Sequence, residues 1–365
     1  MGYDSGMRFH VVGLPFTQTT EDFPACAFTM KVRKFTQMMK AAGHTVYLYS
    51  GEQNSTDCDE HVPCVTEQDR QDLLAGAHYT MGSFDSSQPV WRKFNENAAR
   101  EIGKRAEQKD FICVIGGTSH KPIADALPHL MTVEFGIGYP GTFAKYRVFE
   151  SYAWMHSVYG STTTNPADLN GNFFDAVIPG YVDAAEFAQG DGSGDYFFFI
   201  GRLIERKGFQ IAADVAEHLG ARLLIAGVGT PPSYGEYLGP VGLERAELYR
   251  NAKAVFVPTT YIEPFGTVNV EAQMCGTPVI TSDWGAFTET VVDGVTGFRC
   301  RTFGEFVQAA IDAPDLDRNV IRERALNTYS LEATAPKYER YFNRLLTLWD
   351  DGWYSVKATS LINGA

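Results

Sequence analysis

YFFFIGRLIERKGFQIAADVAEHLGARLLIAG, residues 196–227, reads as a strand, a loop carrying cations, a helix and a second strand. The strand at 196–201 is a continuous apolar run, the pattern of a strand covered on both faces. The helix at 209–220 repeats its apolar residues at helical spacing and stops on Gly220, and the strand at 222–227 follows at once. The same alternation extends outward. Downstream come a helix at 244–252, a strand at 254–259, a helix at 266–275 and a strand at 278–282. Upstream, strands are expected at 8–14, 45–49, 111–117, 130–133 and 173–179. Phe28, Val32, Phe35 and Met39 mark one helix and 92–109 a second, basic one. Residues 51–88 are polar and weakly periodic and define no element. Strands alternating with helices, joined by right-handed crossovers, make an α/β fold with two doubly wound, Rossmann-like domains facing a cleft. The most linker-like stretch is QGDGSGD (189–195). The first domain is placed at 1–183 and the second at 184–344. Residues 331–356 read as a long helix with a turn-like end, and 345–365 are placed to pack back on the first domain.

Length and composition agree with this reading. At 365 residues the chain exceeds one ordinary core of ~100–200 residues. Its 44% hydrophobic and 21% charged residues suit a globular protein and exclude a disordered one. No apolar run of about 18 residues occurs, so no membrane span is expected. The opening MGYDSGMRFHVVGL reads as a first strand, not a secretory signal. The net charge of −13 is spread over both halves, so neither has the basic surplus of nucleic-acid or anionic-membrane binding. Arg92, Lys93, Arg100, Lys104 and Arg105 nevertheless form a local basic stripe. Cys26, Cys58, Cys64, Cys113, Cys275 and Cys300 are scattered, with no CxxC pair to suggest zinc. Reduced thiols in a cytoplasmic protein are expected, with a Cys58–Cys64 disulfide as the minor alternative.

Two stretches carry chemistry. In PTTYIEPFGTVNVEAQMCGTPVITSDWGAFTE (258–289), a helix opens at Phe265–Gly266–Thr267. The free amides of its first turn and its dipole favour an anion there, and Gly266 lets a ligand approach the backbone. Glu263 precedes the helix and Glu271 lies eight residues on. A carboxylate beside a phosphate is costly, so its partner should be neutral and hydroxyl-rich, such as a sugar ring or ribose. The bland alternative is that both glutamates are solvated surface residues. In GRLIERKG (201–208), Arg202 and Lys207 follow Gly201 at a strand end, where two cations can neutralise a diphosphate. Each cation alone reads equally well as an ordinary surface charge; the two stretches together in one domain weaken that reading.

GRLIERKG followed by EPFGTVNVE (263–271) resembles the donor-binding half of retaining glycosyltransferases of the family 4 type, which have the GT-B fold. CGTPVITSDWGAFTETVVDGVTGF (275–298) and VIPGYVD (177–183) resemble the segments that flank it, so the likeness covers about 175–345 and the first domain in outline only. The resemblance implies that Arg202 and Lys207 bind and stabilise a departing diphosphate and that the amides of Gly266, Thr267 and Val268 cradle it. It implies further that Glu271 holds the ribose, that Glu263 contacts the transferred sugar, and that Gly227, in the loop 226–229, and Val241 flank the base. No metal and no other cofactor is expected; the nucleotide sugar is a substrate. Closure of the two domains would then exclude water.

The first domain departs from the family pattern. GLPFTQTTEDF (13–23) carries only Gly13 where a Gly-rich, donor-binding loop is usual. LMTVEFGIGYPG (130–141) offers Glu134 where a His is usual. A carboxylate there would hold a sugar hydroxyl or offset positive charge at the anomeric carbon, with a buried helix-cap partner as the alternative. His120, after a strand and a glycine pair, is expected to face the cleft, although a lone His is more often structural. Tyr139 is a candidate sugar or acceptor contact. Glu150 and His156, in the aromatic run YRVFESYAWMH (146–156), are read as helix core, with acceptor contacts as the alternative. The expected reaction is retaining transfer of a hexosyl or pentosyl group, most plainly from a UDP-sugar, to an acceptor hydroxyl. Two rivals are a phage-type DNA-base glycosyltransferase with the same donor chemistry and a non-catalytic nucleotide-sugar binding protein.

Overall fold

The structure, a computed structural model, describes residues 6–350. These fall into two compact units. Among the described residues, unit 1 holds 6–149, Asn170–Ile178 and 335–350; unit 2 holds Glu150–Leu169 and Pro179–Thr334. The division therefore differs from a single boundary at Asp183.

Unit 1 is built on seven parallel strands: β1 (Arg8–Val12), β2 (Thr45–Ser50), β3 (Glu60–Pro63), β4 (Phe111–Val114), β5 (Met131–Ile137), β6 (Tyr146–Phe149) and β7 (Asp175–Val177). Their order is β3-β2-β1-β4-β5-β6-β7. Its helices are α1 (Ala27–Ala41), α2 (Glu67–Leu74), α3 (Pro89–Arg105) and α4 (Lys121–Ala126). All four residues of β4 are fully buried, as a central strand covered on both faces requires. The pleat deals them to two layers. Ile112 and Val114 join Val12 and the Phe94, Ala98 and Ile102 of α3 on one face. On the other, Phe9 lies 6.1 Å from Phe35 of α1 and 4.7 Å from Phe342 of the C-terminal helix, Leu331–Asp350, and Phe111 lies 4.8 Å from Phe342. That helix thus packs in unit 1 from Ala335 onward, ahead of the segment expected to do so; residues 351–365 lie outside the described ones. The polar stretch 51–88 hides β3 and α2. No residue of α2 is buried, which is why it has no apolar period, and it is held by a capping box between Thr66 and Asp69.

Unit 2 has six parallel strands: β8 (Phe197–Ile200), β9 (Leu223–Ala226), β10 (Glu236–Gly239), β11 (Val255–Val257), β12 (Val279–Ser282) and β13 (Gly297–Cys300), in the order β10-β9-β8-β11-β12-β13. Its helices are α5 (Tyr152–Gly160), α6 (Phe209–Leu219), α7 (Arg245–Asn251), α8 (Thr267–Met274), α9 (Phe287–Thr290), α10 (Phe303–Asp312) and α11 (Arg318–Tyr329), after which the C-terminal helix is α12. Phe198 points with Leu224 and Val255 toward α7, α8 and α11. Phe197 and Phe199 point with Ile225 and Phe256 toward α6 and α10.

The run 146–156 is not one helix: Tyr146–Phe149 is β6, and α5 starts at Tyr152. Residues 150–169 belong to unit 2 because α5 is tied there. The Tyr152 and Ala153 amides each donate to the Glu289 carboxylate at 2.9 Å, and Ser151 Oγ donates to the Pro264 carbonyl at 2.7 Å. QGDGSGD is not a free linker either. The Gly190, Gly192 and Gly194 amides donate to the carbonyls of Cys275, Arg250 and Asn251 at 3.1, 3.2 and 2.9 Å. A Cβ on Gly190 would lie 2.0 Å from the Arg250 oxygen, so glycine is needed for the chain to run this close.

Candidate functional site

The loop after β8 and the start of α8 enclose a cavity of about 170 Å³ at the carboxyl ends of β8 and β11, where ligands of open α/β sheets bind. Gly201, Lys207, Glu263, Gly266, Thr267 and Val268 all line it, together with Phe199, Ile200, Val257 and Thr259. Six residues picked out from two distant motifs thus meet at one place. Gly266 N-caps α8 in the left-handed region (φ 78°, ψ 62°), with no side-chain cap, and a Cβ there would lie 2.8 Å from Phe287. The first-turn amides keep their capacity for an anion. Buried Asn269 and Gln273 hold the helix in place: the Asn269 amide donates to the Gly266 carbonyl at 3.2 Å and to Thr290 Oγ1 at 2.9 Å, and Gln273 donates to the Thr290 carbonyl at 3.1 Å.

The cation and the carboxylate of this cavity are paired. Lys207 Nζ donates to Glu263 Oε2 at 2.8 Å, with the two side chains 23% and 11% exposed. Tyr261, which the sequence did not single out, has Lys207 Nζ 4.9 Å and the Arg206 guanidinium 4.0 Å from its ring centre. Burial, then the charge of Glu263, hold its phenol above the ordinary range. Arg202 is exposed, is not among the lining residues, and has no ion-pair partner among the described residues. Gly227 takes a backbone role: its amide donates to the Gly239 carbonyl at 2.9 Å, and a Cβ would lie 1.7 Å from the Gly201 oxygen. Val241 packs with Ile200 and Val268 against the buried cluster.

Glu271 lies one turn further along α8, on the face of Thr267 and Val268. Its carboxylate is almost buried and receives a fork from Arg245, Nε to Oε2 at 3.2 Å and Nη2 to Oε1 at 3.1 Å, plus the Tyr249 hydroxyl at 2.9 Å. Burial works against the Arg245 charge, but the carboxylate outweighs it and holds the guanidinium above its usual range. The surface reading of Glu263 and Glu271 is therefore excluded. Arg245 and Tyr249 were missed, and only the spacing of Tyr249 on an apolar helix face could have pointed to it.

The first-domain candidates separate from one another. Glu134 is fully buried in β5. The Phe143 and Ala144 amides donate to its Oε2 at 2.8 Å each, and the Tyr139 hydroxyl donates to Oε1 at 3.3 Å. Burial outweighs these bonds and raises its pKa. It clamps the loop 139–144, a placement that does not fit the expected catalytic role. His120 is also fully buried and does not face solvent. Its ring lies 5.5 Å from Trp91 and 6.1 Å from Phe94, and Nδ1 accepts the Gly116 amide at 3.0 Å. Burial pushes its pKa down to about 3, against a weaker contact to the Gly13 backbone. Gly13 itself donates to the Tyr49 carbonyl at 2.7 Å. Tyr139, by contrast, lines a cavity of about 260 Å³ with Phe28, Phe84, the 115–119 loop and Pro140–Gly141. His156 is exposed on α5, not core.

Among the described residues no cluster of His, Cys, Asp and Glu could hold a metal ion, and no helix is long and apolar enough to cross a membrane. All six cysteines are free, including Cys58 and Cys64. The α3 stripe is largely paired: Lys93 with Asp69, Arg100 and Lys104 with Glu101, and Arg105 with both Glu60 and Glu101.

Comparison with known proteins meets this geometry at the same residues. Residues 194–313 match the family model described as Glycosyl transferases group 1. A D-inositol 3-phosphate glycosyltransferase from Frankia alni is 31% identical over 169 residues, 36% of this chain and 41% of the relative, so the match spans about two fifths of that relative's length. AviGT4, a glycosyltransferase involved in avilamycin A biosynthesis, superposes with a TM-score of 0.69 at 19% identity over 93% of this chain and 98% of its own. Anabaena Alr3699/HepE, solved with UDP and glucose, gives 0.64 at 16% identity over 93% of this chain and 100% of its own. At such identities the structures establish the fold. The chain therefore has the two-sheet α/β fold of solved glycosyltransferases, and its segment 194–313 carries the group 1 glycosyltransferase pattern.

Proposed function

We propose that the chain transfers a sugar from a nucleotide-diphosphate donor to an acceptor hydroxyl, with retention at the anomeric carbon. The observation that carries the reading is the single cavity in which Lys207 and the uncapped start of α8 meet Glu263. The first two suit a diphosphate and the third suits sugar hydroxyls. In the reaction the bond from the anomeric carbon to the diphosphate oxygen breaks and its electrons leave with the diphosphate. Lys207, Arg202 and the amides of Thr267 and Val268 stabilise that growing charge. The acceptor oxygen forms the new bond on the same face, and its proton passes to the departing phosphate oxygen. Lys207 must turn from Glu263 toward the phosphate, which frees Glu263 to take a sugar hydroxyl. The cations and the helix end carry the charge without a divalent metal, so EDTA should leave transfer unchanged. UDP is the proposed nucleotide, on the likeness to Alr3699/HepE, which was solved with UDP and glucose. Tyr139, on its aromatic-lined cavity, is the proposed acceptor contact. Six free thiols suit the cytoplasm, where we place the protein.

The test is steady-state transfer from UDP-sugars by the wild-type, Lys207→Ala and Arg202→Ala chains. The reading expects a loss of more than about tenfold for each variant, the scale on which transition-state charge contacts act. Wild-type donor binding without turnover on a broad acceptor panel would instead favour a non-catalytic binding protein.

A further inference from the structure

Thr259 stands on the wall of the cavity that Lys207, Glu263 and the start of α8 enclose. The polar side chains beside it have partners or water: Lys207 and Glu263 hold each other at 2.8 Å, and Thr267 is exposed. Thr259 has neither. Its exposure is 0%, and its Oγ1 has no hydrogen-bond partner among the described residues. A buried hydroxyl without a partner is costly, and folded chains keep few of them. The backbone around it is fixed. The Thr259 carbonyl accepts from Ser282 Oγ at 2.6 Å, and the Thr260 amide donates at 2.9 Å to the carbonyl of Arg206, the neighbour of Lys207. Val255 and Val257 pack on the side of the sheet that α8 covers, and Thr259 follows them at a strand's spacing of two. Thr259 thus lies just past the end of β11, between the Lys207 loop and the start of α8.

A hydroxyl can donate or accept, and its surroundings decide which. The first-turn amides of α8 and the Lys207 ammonium only donate, so they gather an anionic oxygen. We infer that Thr259 is a further contact residue of this site: its hydroxyl donates to a phosphate oxygen held between Lys207 and the start of α8. The ligand then supplies the partner that the chain does not. This inference rests on the proposed function, which supplies the diphosphate, and adds to it a side-chain partner from the end of β11.

The experiment is isothermal titration of the full chain and its Thr259→Val and Thr259→Ser variants with UDP, and displacement of UDP by inorganic pyrophosphate, with Tm measured on the free proteins. Thr259→Val replaces the hydroxyl by a methyl at nearly the same shape. It should bind UDP at least about tenfold more weakly, as loss of a hydrogen bond to a charged group requires, and pyrophosphate more weakly by the same factor. Its Tm without ligand should equal or exceed that of the wild type, because no bond within the chain is lost. Thr259→Ser keeps the hydroxyl and should bind UDP within about threefold of the wild type. A structural Thr259 predicts the reverse for valine, a lower Tm or a chain that does not fold, and either result overturns the inference. UDP binding by Thr259→Val within about threefold of the wild type means that water, not the ligand, meets the hydroxyl, and overturns it as well. Equal losses in valine and serine assign the effect to the methyl group and contradict it. A loss confined to UDP, or pyrophosphate that does not displace UDP, takes the hydroxyl off the phosphate and overturns the assignment. In all these cases the wild type still binds UDP and the donor site stands. If the wild type binds no UDP, the proposed function fails and the inference falls with it.

Discussion

Lys207 and Glu263 compete and cooperate at the same cavity, and this gives the site a testable signature. In the proposed reaction their ion pair opens as Lys207 turns to a phosphate. Glu263→Gln removes one charge at nearly constant shape, so it should tighten binding of UDP by about threefold, because Lys207 no longer has a carboxylate to leave. Transfer should fall more than about tenfold, because the carboxylate no longer meets the sugar. Titration and initial rates on the same preparation check both arms. Gly266→Ala should destabilise by about 1–3 kcal/mol in urea melts, since it adds a Cβ at positive φ, 2.8 Å from Phe287. At this scale the sequence was legible where chemistry and backbone coincide. Gly266, Lys207 and Glu263 declared themselves because a helix start, a cation and a carboxylate each follow a strand. Arg245 and Tyr249 did not, because their link to Glu271 spans 26 and 22 residues and exists only once α7 docks on α8. Glu134 and His120 misled for the opposite reason. A titratable residue in or after a strand can face either way, and both of these turn inward to hold backbone amides.

Among the elements, the apolar ones were readable and the polar edges were not. β8, β9 and β11 are apolar runs, and β12 is wholly buried. The edge strand β10 reads Glu-Tyr-Leu-Gly with three residues exposed, and the edge strand β13 carries Arg299, so neither shows a buried strand's pattern. The glycine-rich 189–195 imitates a linker because composition reports freedom, not the close contacts glycine permits. α12 shows what an element contributes across the chain: Phe342 joins Phe9, Phe35 and Phe111 in one aromatic layer. Phe342→Ala should cost about 3–5 kcal/mol in the unfolding of unit 1, measured by urea titration, whereas a change under about 1 kcal/mol would mean α12 does not pack there.

For the molecule as a whole, buried and half-buried histidines contribute to the response to acid. Burial lowers the pKa of His44, His61 and His120, the last to about 3. Below about pH 6.5 the unfolded chain takes up protons that the folded chain refuses, so stability is present above that pH and lost as pH falls toward 3. For His120 alone the slope approaches about 1.4 kcal/mol per pH unit. His120→Asn, whose carbonyl can still accept the Gly116 amide, should flatten the profile in this window. An unchanged slope by urea titration at pH 4–7 would place the acid sensitivity elsewhere. At the same scale, the alternation of strand and helix carried both sheets, while the exchange of 150–169 and 335–350 between units was hidden, because it depends on distant partners such as Glu289 and Phe9.

The proposed transfer requires a diphosphate at the start of α8 beside Lys207. A crystal structure of the chain soaked with UDP should show phosphate oxygens within hydrogen-bond distance of the Thr267 and Val268 amides and of Lys207 Nζ, with the Lys207–Glu263 pair opened. A nucleotide bound elsewhere, with that pair closed and the cavity without phosphate, would contradict it.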